Sequence, residues 1–413
     1  MEKLEFENFN VFLDPESGFW AITDNELPDE LKEFWLKNRE HLASEIEKYR
    51  FETDVKVVYI NPTDRCNASC PYCYIPNKIK RRSRDMSYDE LDEILNALKD
   101  FGVEWIIFHG TEPLLVKDTI FKAIEVHDEF NYGIQTNGIL LNEDDMDFIM
   151  DNRINLGISF DSPKKDVNDF LRGKGHYDAV VKALNYMQGY KHLNVVTTIT
   201  SYNYDQLVDM VDFLAEKVEV VLMNPVRGTS EGGRKLRAPP IKAAEEFIKA
   251  VDRAIEHTKA GRRVVVGDFA NIILGIIAPT SRVLQCDISP CGAGRRFFAI
   301  TSDGKVYPCG EFIGMDEFSI SFDEILKDGC ENAFKSVKDR VVEKIEDCNT
   351  CAYRHICGSP CPAEIYAEKS TLFEKSPYCE FYKAIIDHAF KVIAEGRVDY
   401  VIRREVMKVK YEL

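Results

Sequence analysis

Three cysteines stand close together in the segment RCNASCPYCY, residues 65–74. Cys66, Cys70 and Cys73 follow the spacing C-x3-C-x2-C, and no fourth cysteine lies nearby in the sequence. A structural zinc ion and an ordinary iron-sulfur cluster each take four protein ligands. Three thiolates therefore predict a metal centre with one open position, where an exogenous ligand can bind. The alternatives are a zinc ion and a cluster completed by a distant cysteine.

Most of the other cysteines lie in the last third of the chain, and their spacing also indicates metal binding. Eight thiolates suffice for two metal ions or two clusters with four ligands each. The run C-x2-C-x5-C-x3-C would by itself also suit a zinc ribbon. Cys330 stands apart from the grouped residues and is expected to be a packed free thiol. The grouped residues are Cys286, Cys291, Cys309, Cys348, Cys351, Cys357, Cys361 and Cys379.

Apolar runs alternate with amphipathic helices over residues 55–223, which predicts βα units and a parallel sheet. Six such runs predict an incomplete barrel, or an open sheet bent toward one. Ligands of these folds bind at the carboxyl ends of the strands. Polar clusters follow five of the runs, so we expect one composite site. The runs are residues 55–60, 105–108, 132–135, 155–160, 195–200 and 218–223, and the clusters are 65–74, 109–113, 136–138, 161–163 and 224–228.

Length and charge narrow the class of protein. A chain of 413 residues with 45% hydrophobic content can bury a large core and favours two or three domains. A net charge of −17 opposes nucleic acid and membrane surfaces as partners. Two local basic patches are expected to be solvated surface, with attraction of an acidic substrate as the alternative. They comprise Lys78, Lys80, Arg81, Arg82 and Arg84, and Arg227, Arg234, Lys235 and Arg237.

The N-terminus shows no targeting signal, and the most apolar stretch, residues 272–278, is too short to span a bilayer. The protein is therefore expected to be cytoplasmic. Thiols are kept reduced in that compartment, so the twelve cysteines are expected to serve metal or redox chemistry and not disulfides.

The motif C-x3-C-x2-C, with aromatic Tyr72 before the third cysteine, resembles that of the radical S-adenosylmethionine (AdoMet) superfamily. The resemblance covers residues 53–235 and implies a partial (β/α)6 barrel. It implies that Cys66, Cys70 and Cys73 hold a [4Fe-4S] cluster whose fourth iron is chelated by AdoMet. Reductive cleavage of AdoMet would then release a 5′-deoxyadenosyl radical that abstracts a substrate hydrogen.

Three further segments resemble cofactor-binding parts of that superfamily. FHGTEPLL, residues 108–115, is similar to the GGEP segment, which meets the AdoMet ammonium. The likeness implies cofactor contacts from His109, Gly110, Thr111 and Glu112, although Thr111 replaces a glycine and His109 a common glutamine. IQTNGILL, 134–141, and GISFDSP, 157–163, resemble segments of peptide-modifying members. They imply that Asn137, Ser159 and Arg172 lie near the methionine carboxylate.

The C-terminal cysteines resemble the signature of the SPASM extension found on radical SAM enzymes. The family connectivity implies two auxiliary [4Fe-4S] clusters with no free iron, which favours electron transfer over substrate coordination. Cluster I would use Cys286, Cys291, Cys309 and Cys361, and cluster II would use Cys348, Cys351, Cys357 and Cys379.

The resemblance implies an enzyme that oxidatively modifies a ribosomally made peptide or protein side chain, by a thioether or another cross-link. A one-electron donor such as flavodoxin or ferredoxin would supply electrons. An alternative is formylglycine formation, as by anaerobic sulfatase maturases, but those place an aspartate after the third auxiliary cysteine, where this chain has Gly310. Glu311 or Asp161 would then have to replace that base. Another alternative is a non-catalytic electron-transfer protein with several clusters.

The expected organisation has five parts. These are an N-terminal hairpin and helix (1–52), the radical SAM core (53–240), a helical linker (241–285), the SPASM domain (286–385) and a C-terminal helix and tail (386–413).

Overall fold

The computed structural model describes residues 1–403. The chain opens with a three-stranded antiparallel sheet, β1 (Glu2–Glu5), β2 (Asn10–Asp14) and β3 (Phe19–Thr23), followed by helix α1 (Asp29–Phe51). The predicted hairpin and helix are present, and strand β1 is an addition. Strand β1 is short and mostly exposed, so it carries little of the apolar alternation by which a strand is recognised.

Six parallel strands form the centre of the structure and match the six predicted runs. They alternate with helices that cover the sheet, and the helix Tyr88–Asp100 begins with a capping box of Ser87 and Glu90. The strands are β4 (Val57–Asn61), β5 (Trp105–Phe108), β6 (Asn131–Thr136), β7 (Asn155–Ser159), β8 (Leu193–Ile199) and β9 (Val220–Pro225). The helices are α2 (Asn77–Lys80), α3 (Tyr88–Asp100), α4 (Lys117–Val126), α5 (Glu143–Asp151), α6 (Lys165–Arg172), α7 (His176–Tyr186), α8 (Leu207–Leu214) and α9 (Glu231–Lys235).

The second half of the chain continues this sheet at both edges. Strand β10 pairs with β9, and β11 pairs with β4, both in parallel, whereas β12 and β13 are antiparallel additions. The elements are α10 (Pro240–Lys259), β10 (Val265–Val266), α11 (Gly267–Ile277), β11 (Phe297–Thr301), β12 (Lys305–Tyr307), β13 (Ile320–Ser321), α12 (Phe322–Asn332), α13 (Lys335–Lys338), α14 (Arg354–Cys357), α15 (Pro362–Lys369) and α16 (Cys379–Ala394). Short 3-10 helices lie at Pro113–Val116, Tyr204–Gln206, Pro279–Ser281, Gly310–Phe312, Asp316–Phe318, Val342–Lys344 and Val398–Tyr400.

The sheet therefore has ten strands in the order β10-β9-β8-β7-β6-β5-β4-β11-β12-β13. It runs without interruption through the predicted core, linker and SPASM segments. The predicted linker adds strand β10, and the helix expected from residue 386 begins at Cys379 because the last cysteine opens that helix. The domain boundaries remain a prediction, and the tail beyond residue 403 lies outside the described residues.

The first basic patch joins the two halves. Arg82 donates to Asp64 and to Asp303, and Arg84 donates to the carbonyl oxygen of Ser302 at 2.7 Å. The patch thus pairs largely with groups of the same chain, which leaves less free charge for an acidic substrate than the sequence alone suggested. No helix within the described range is long and apolar enough to cross a membrane.

Candidate active site and cysteine centres

The loop that follows β4 carries Cys66, Cys70 and Cys73, all half-buried. The main-chain nitrogen of Cys73 donates to the carbonyl oxygen of Cys70 at 3.1 Å, which makes a tight turn between these two residues. The three sulfurs are electrostatic neighbours, and burial raises the pKa of the Cys66 thiol to about 11. A bound metal must displace these protons, because the thiolate is the metal ligand.

Helix α9 holds this loop from the opposite side. A Cβ atom on Gly232 would overlap the carbonyl oxygen of Pro71, so the helix can approach the cysteine loop this closely only with glycine at that position. The Ser230 hydroxyl lies 3.5 Å from the carbonyl oxygen of Tyr72. The second basic patch, which begins at Arg227, therefore contributes to the site.

A buried carboxylate, Glu112, lies beside Cys66. It accepts hydrogen bonds from the Thr136 hydroxyl at 2.7 Å and from the main-chain nitrogens of Asn137 and Leu114 at 2.8 and 3.1 Å. Glu112 is 0% exposed, burial raises its pKa, and no ion pair among residues 1–403 includes it. A fully buried carboxylate without a cation is costly, and such a group is well placed to receive a cationic ligand.

The neighbouring Gly110 and Thr111 shape the loop that presents Glu112. Gly110 has φ +121°, and a Cβ atom there would overlap the side chain of Asn61. The main-chain nitrogen of Thr111 donates to Asn61 Oδ1 at 3.1 Å, and its hydroxyl donates to the Thr63 carbonyl. Thr111 thus braces the loop where the resembling segment has a second glycine.

Asn137 links Glu112 with the cysteine loop. Its side-chain nitrogen donates to Asn67 Oδ1 at 2.7 Å and lies 4.0 Å from the Cys66 sulfur. Ser159 ends strand β7 and is half-buried. Both residues lie at the carboxyl edge of the sheet, where the sequence predicted them.

Arg172 forms a buried ion pair with Asp161. Its Nε and Nη2 donate to the Asp161 carboxylate at 2.7 and 3.0 Å, and Tyr72 donates to the same carboxylate. Burial opposes the charge of Arg172, yet Asp161 holds its pKa well above the usual value. The guanidinium lies 5.3 Å from the Tyr72 ring and is an electrostatic neighbour of Cys70. The sequence did not foresee that the charge of Arg172 is already balanced.

His109 follows strand β5 and lies where the parallel sheet meets the cysteine-rich half of the chain. Its ring stacks on Tyr74 with centroids 6.1 Å apart and meets Tyr59 edge-on at 5.6 Å. A Cβ atom on Gly310 would lie 3.6 Å from the imidazole. Burial lowers the pKa of His109 to about 4, so the ring is neutral at physiological pH. These contacts do not join the Glu112 network, and His109 as a cofactor ligand remains a prediction.

Charged side chains lie between the loop that carries Cys66, Cys70 and Cys73 and the first group of C-terminal cysteines. Burial raises the pKa of Glu311 to about 7. Arg227 lies 3.7 Å from Glu364 and is an electrostatic neighbour of Glu311 and Cys361. Glu364 also accepts from the main-chain nitrogen of Gly228 at 2.7 Å. Sequence reasoning missed Glu364; its position three residues after Cys361 was the available signal.

The eight C-terminal cysteines fall into two groups of four. Cys309 has Cys361, Cys291 and Cys286 as electrostatic neighbours. In the other group, Cys357 neighbours Cys379, Cys348 and Cys351. The family connectivity assigned the same residues to clusters I and II, and their ligation of iron remains a prediction. Cys330 lies apart, 5% exposed in the hydrophobic core, where burial raises its pKa to about 12.

The spacing of the sulfurs bears on the kind of metal centre. Within residues 1–403, no three cysteine sulfurs all lie within 4.8 Å of one another. A zinc ion with bonds of about 2.3 Å in tetrahedral geometry would bring its sulfur ligands to about 3.8 Å. A four-iron cluster carries each thiolate on a different iron and so needs a wider arrangement.

Comparisons with known proteins identify the family to which this chain is similar. The sequence profile of the radical SAM superfamily matches residues 60–216. A protein of Archaeoglobus fulgidus is 55% identical over 415 residues, covering 100% of this chain and 99% of that protein. The PqqA peptide cyclase of Bradyrhizobium diazoefficiens is 26% identical, covering 78% and 85%, and a cysteine-type anaerobic sulfatase-maturating enzyme of Clostridium perfringens is 25% identical, covering 79% and 93%.

Two solved structures share the fold. Native anSMEcpe with bound AdoMet superposes with a TM-score of 0.69 at 21% identity, covering 83% of this chain and 98% of that one. SuiB of Streptococcus suis bound to its precursor peptide SuiA has a TM-score of 0.65 at 19% identity, covering 87% and 83%.

The chain belongs to the radical SAM superfamily, and its C-terminal region is consistent with a SPASM domain. The predictions of the family, of the α/β fold with a parallel sheet and of an enzyme are confirmed. Membership implies a [4Fe-4S] cluster and AdoMet. The residues present fit both groups, because three grouped thiols lie beside a buried carboxylate that has no cationic partner.

Proposed function

We infer that this protein is a radical SAM oxidoreductase that modifies a peptide or protein side chain and holds three iron-sulfur clusters. The observation that carries the inference is the segregation of the cysteines into one group of three at the sheet edge and two groups of four beyond it. Three ligands leave one iron open for AdoMet, whereas four saturate a cluster. The first centre can therefore bind the cofactor, and the other two are suited to carry electrons.

Different residues at the edge of the parallel sheet bind different parts of the cofactor. Cys66, Cys70 and Cys73 hold the cluster, and Glu112 receives the ammonium group of AdoMet through a charge-assisted hydrogen bond. Held by these residues and reduced, the cluster and AdoMet would supply the radical chemistry needed to remove a hydrogen atom from the substrate. Asn137 and Ser159 lie on the carboxylate side of the cofactor. Arg172 lies on the same side, where its positive charge faces both Asp161 and the cofactor carboxylate.

The reacting side chain of the substrate lies in the space between the barrel loop and the first group of four cysteines. Tyr74, His109, Arg227 and Glu311 lie in this region, since Tyr74 contacts His109 and neighbours Glu311, Cys73 and Cys309, and Arg227 neighbours Cys361 and Glu311. Loss of a hydrogen atom leaves a substrate radical, and formation of a cross-link requires one further electron to depart. The nearby group of four cysteines would hold a cluster able to accept that electron, and a one-electron donor such as flavodoxin or ferredoxin would supply the electron that reduces the first cluster.

A ribosomally made peptide is the substrate class that has most support. The relatives include a PqqA peptide cyclase, and a structure with the same fold carries a precursor peptide. A thioether or another cross-link is the proposed product. Formylglycine formation is not favoured, because Gly310 follows Cys309 and Asp161 is held by Arg172, Tyr72 and the main-chain nitrogen of Thr198.

Cleavage of AdoMet is the first test. The anaerobically reconstituted protein, reduced with dithionite in the presence of AdoMet, is expected to produce 5′-deoxyadenosine. The triple variant Cys66→Ala, Cys70→Ala, Cys73→Ala is expected to produce none. Cys330→Ala is the matched control, because it removes a cysteine that lies apart from all three groups. Equal activity of wild type and triple variant would leave a non-catalytic electron-transfer protein as the better description.

Metal content and product analysis test the remainder. Three [4Fe-4S] clusters predict about twelve iron atoms per chain. Stoichiometric zinc with only one cluster would remove the auxiliary assignment. Anaerobic incubation with peptides encoded by neighbouring genes, followed by mass spectrometry, is expected to show the loss of about two hydrogen masses. Formylglycine on a sulfatase-derived peptide, with the other peptides unchanged, would reverse the choice of substrate.

A further inference from the structure

A single arginine lies buried between the two groups of four cysteines. Arg340 is 1% exposed, and its guanidinium donates only to uncharged oxygen atoms. These are the carbonyl oxygens of Leu372, of Ser359 at 2.8 Å and of Glu374 at 3.2 Å, together with the Ser359 hydroxyl at 3.3 Å. No ion pair in the described part of the chain includes Arg340. A buried cation without a carboxylate carries a large desolvation cost.

The contacts of Arg340 place it at both groups at once. Ser359 lies between Cys357 of the second group and Cys361 of the first, and its hydroxyl also accepts from the main-chain nitrogen of Ser376, close to Cys379. Leu372 and Glu374 belong to the segment that leads to Cys379. The charge of Arg340 acts on two cysteines of each group, namely Cys291 and Cys361, and Cys348 and Cys357.

The missing counter-charge is therefore supplied by the cysteine centres themselves. Each centre is anionic when four thiolates ligate a cluster, and each gains one more negative charge on reduction. A fixed cation nearby stabilises the reduced form more than the oxidised form, because the attraction grows with the charge. Net charge and hydrogen bonding near the sulfurs are the levers by which proteins set these potentials.

We propose that Arg340 is a positioning residue shared by both auxiliary clusters, whose single positive charge raises the reduction potentials of the two together. The proposal rests on the proposed function, since it requires that both groups hold clusters. If the two reduction potentials rise together, the difference between them stays small. An electron taken from the substrate radical could then pass readily from the first cluster to the second. The same cation ties together the loops that carry the two ligand sets.

Arg295 is a natural comparison within the same half of the protein. It is also 1% exposed and has no ion pair in residues 1–403. Its guanidinium donates to the carbonyl oxygens of Glu52 and Pro290 at 2.7 and 3.2 Å. Its strongest cysteine neighbour is Cys291 of the first group, and its hydrogen bonds go to residues on that side. Arg295 therefore matches Arg340 in burial and chemistry, but its contacts lie beside the first group.

The experiment measures the potentials of both auxiliary clusters by redox titration followed by electron paramagnetic resonance. The full-length triple variant lacking Cys66, Cys70 and Cys73 is the background, so that only the auxiliary clusters contribute. Arg340→Gln is expected to make both clusters at least tenfold harder to reduce, a fall of about 59 mV for a one-electron couple. Arg340→Lys keeps the charge and is expected to stay within threefold of the background. Arg295→Gln is expected to affect one cluster only.

The outcomes separate the inference from the proposed function. Absence of auxiliary iron in the background protein overturns the proposed function and this inference with it. Two loaded clusters with unchanged potentials in Arg340→Gln overturn the inference alone. Loss of clusters from Arg340→Gln but not from Arg340→Lys supports the role of the charge. Loss from both variants overturns it, because the hydrogen bonds of the guanidinium group, and not its charge, would then explain the loss of the clusters.

Discussion

The buried pair of Asp161 and Arg172 is expected to hold the barrel side of the site together. Asp161 is 1% and Arg172 9% exposed, and the carboxylate also accepts from Tyr72 and from the main-chain nitrogen of Thr198 at 2.9 Å. Asp161→Asn keeps the shape but leaves a cation buried without its partner. Removing one partner of such a pair costs about 3–5 kcal/mol, so we expect a loss of stability of that size.

A double-mutant cycle measures this coupling. Asp161→Asn, Arg172→Met and the double variant are unfolded with urea under anaerobic conditions, and the free energies of unfolding are compared. The double variant removes both charges, so it is expected to recover at least about 2 kcal/mol of the summed losses, within the range seen for residues in one network. The two losses would otherwise simply add.

An exposed pair that joins helix α6, which also carries Arg172, to helix α7 is the control. Lys165 and Asp178 lie 2.5 Å apart with side chains 56% and 63% exposed. Asp178→Asn is expected to cost less than about 1 kcal/mol, because water and salt screen such pairs. Additive losses in the cycle, or an Asp161→Asn cost no larger than that of Asp178→Asn, would refute the view that the buried pair braces the site.

Three further predictions concern the cofactor site and its surroundings. Glu112→Gln is expected to weaken AdoMet binding about tenfold to a hundredfold, since hydrogen bonds to charged groups contribute about 1.5–3 kcal/mol; equilibrium dialysis giving a change below threefold would contradict this. Gly232→Ala is expected to lose iron from the barrel centre while the auxiliary clusters remain, because the added methyl overlaps the Pro71 carbonyl; unchanged total iron counts against it. Burial lowers the pKa of His176 from 6.5 to about 4, so the unfolded chain binds more protons than the folded chain between these pH values. The free energy of unfolding is therefore expected to fall by up to about 3 kcal/mol as the pH drops from about 6.5 to about 4. His176→Gln should flatten that slope in urea titrations, and an unaltered slope would assign it to other groups.

Local patterns in the sequence predicted the centre of the fold well. The six runs became β4 to β9 because alternation of apolar strands and amphipathic helices is a property of neighbouring residues. The pairing of β11 with β4 joins residues more than two hundred positions apart, and no local pattern encodes it. Strand β10 has only two residues, too few for any periodicity.

The site divides in the same way. Cysteine spacing predicted the group of three, whereas the division of the other eight cysteines came from the family resemblance, since spacing alone would also suit a zinc ribbon of Cys348, Cys351, Cys357 and Cys361. The position of Arg340 depends on how distant loops meet, and the pairing of Arg172 with Asp161, eleven residues earlier, depends on how helix α6 folds back, so both were missed. The first basic patch illustrates the same limit, since its partners Asp303 and Ser302 lie in the other half of the chain.

A hybrid enzyme that joined this cysteine-rich half to a different barrel would have to reproduce a seam of five residue pairs, from Phe297 opposite Val57 to Thr301 opposite Asn61. Slippage by a single residue would turn every side chain of the incoming strand to the wrong face. Exchange of catalytic halves between such enzymes is therefore more promising when the crossover preserves both partners of that seam than when it follows the apparent boundary in the sequence.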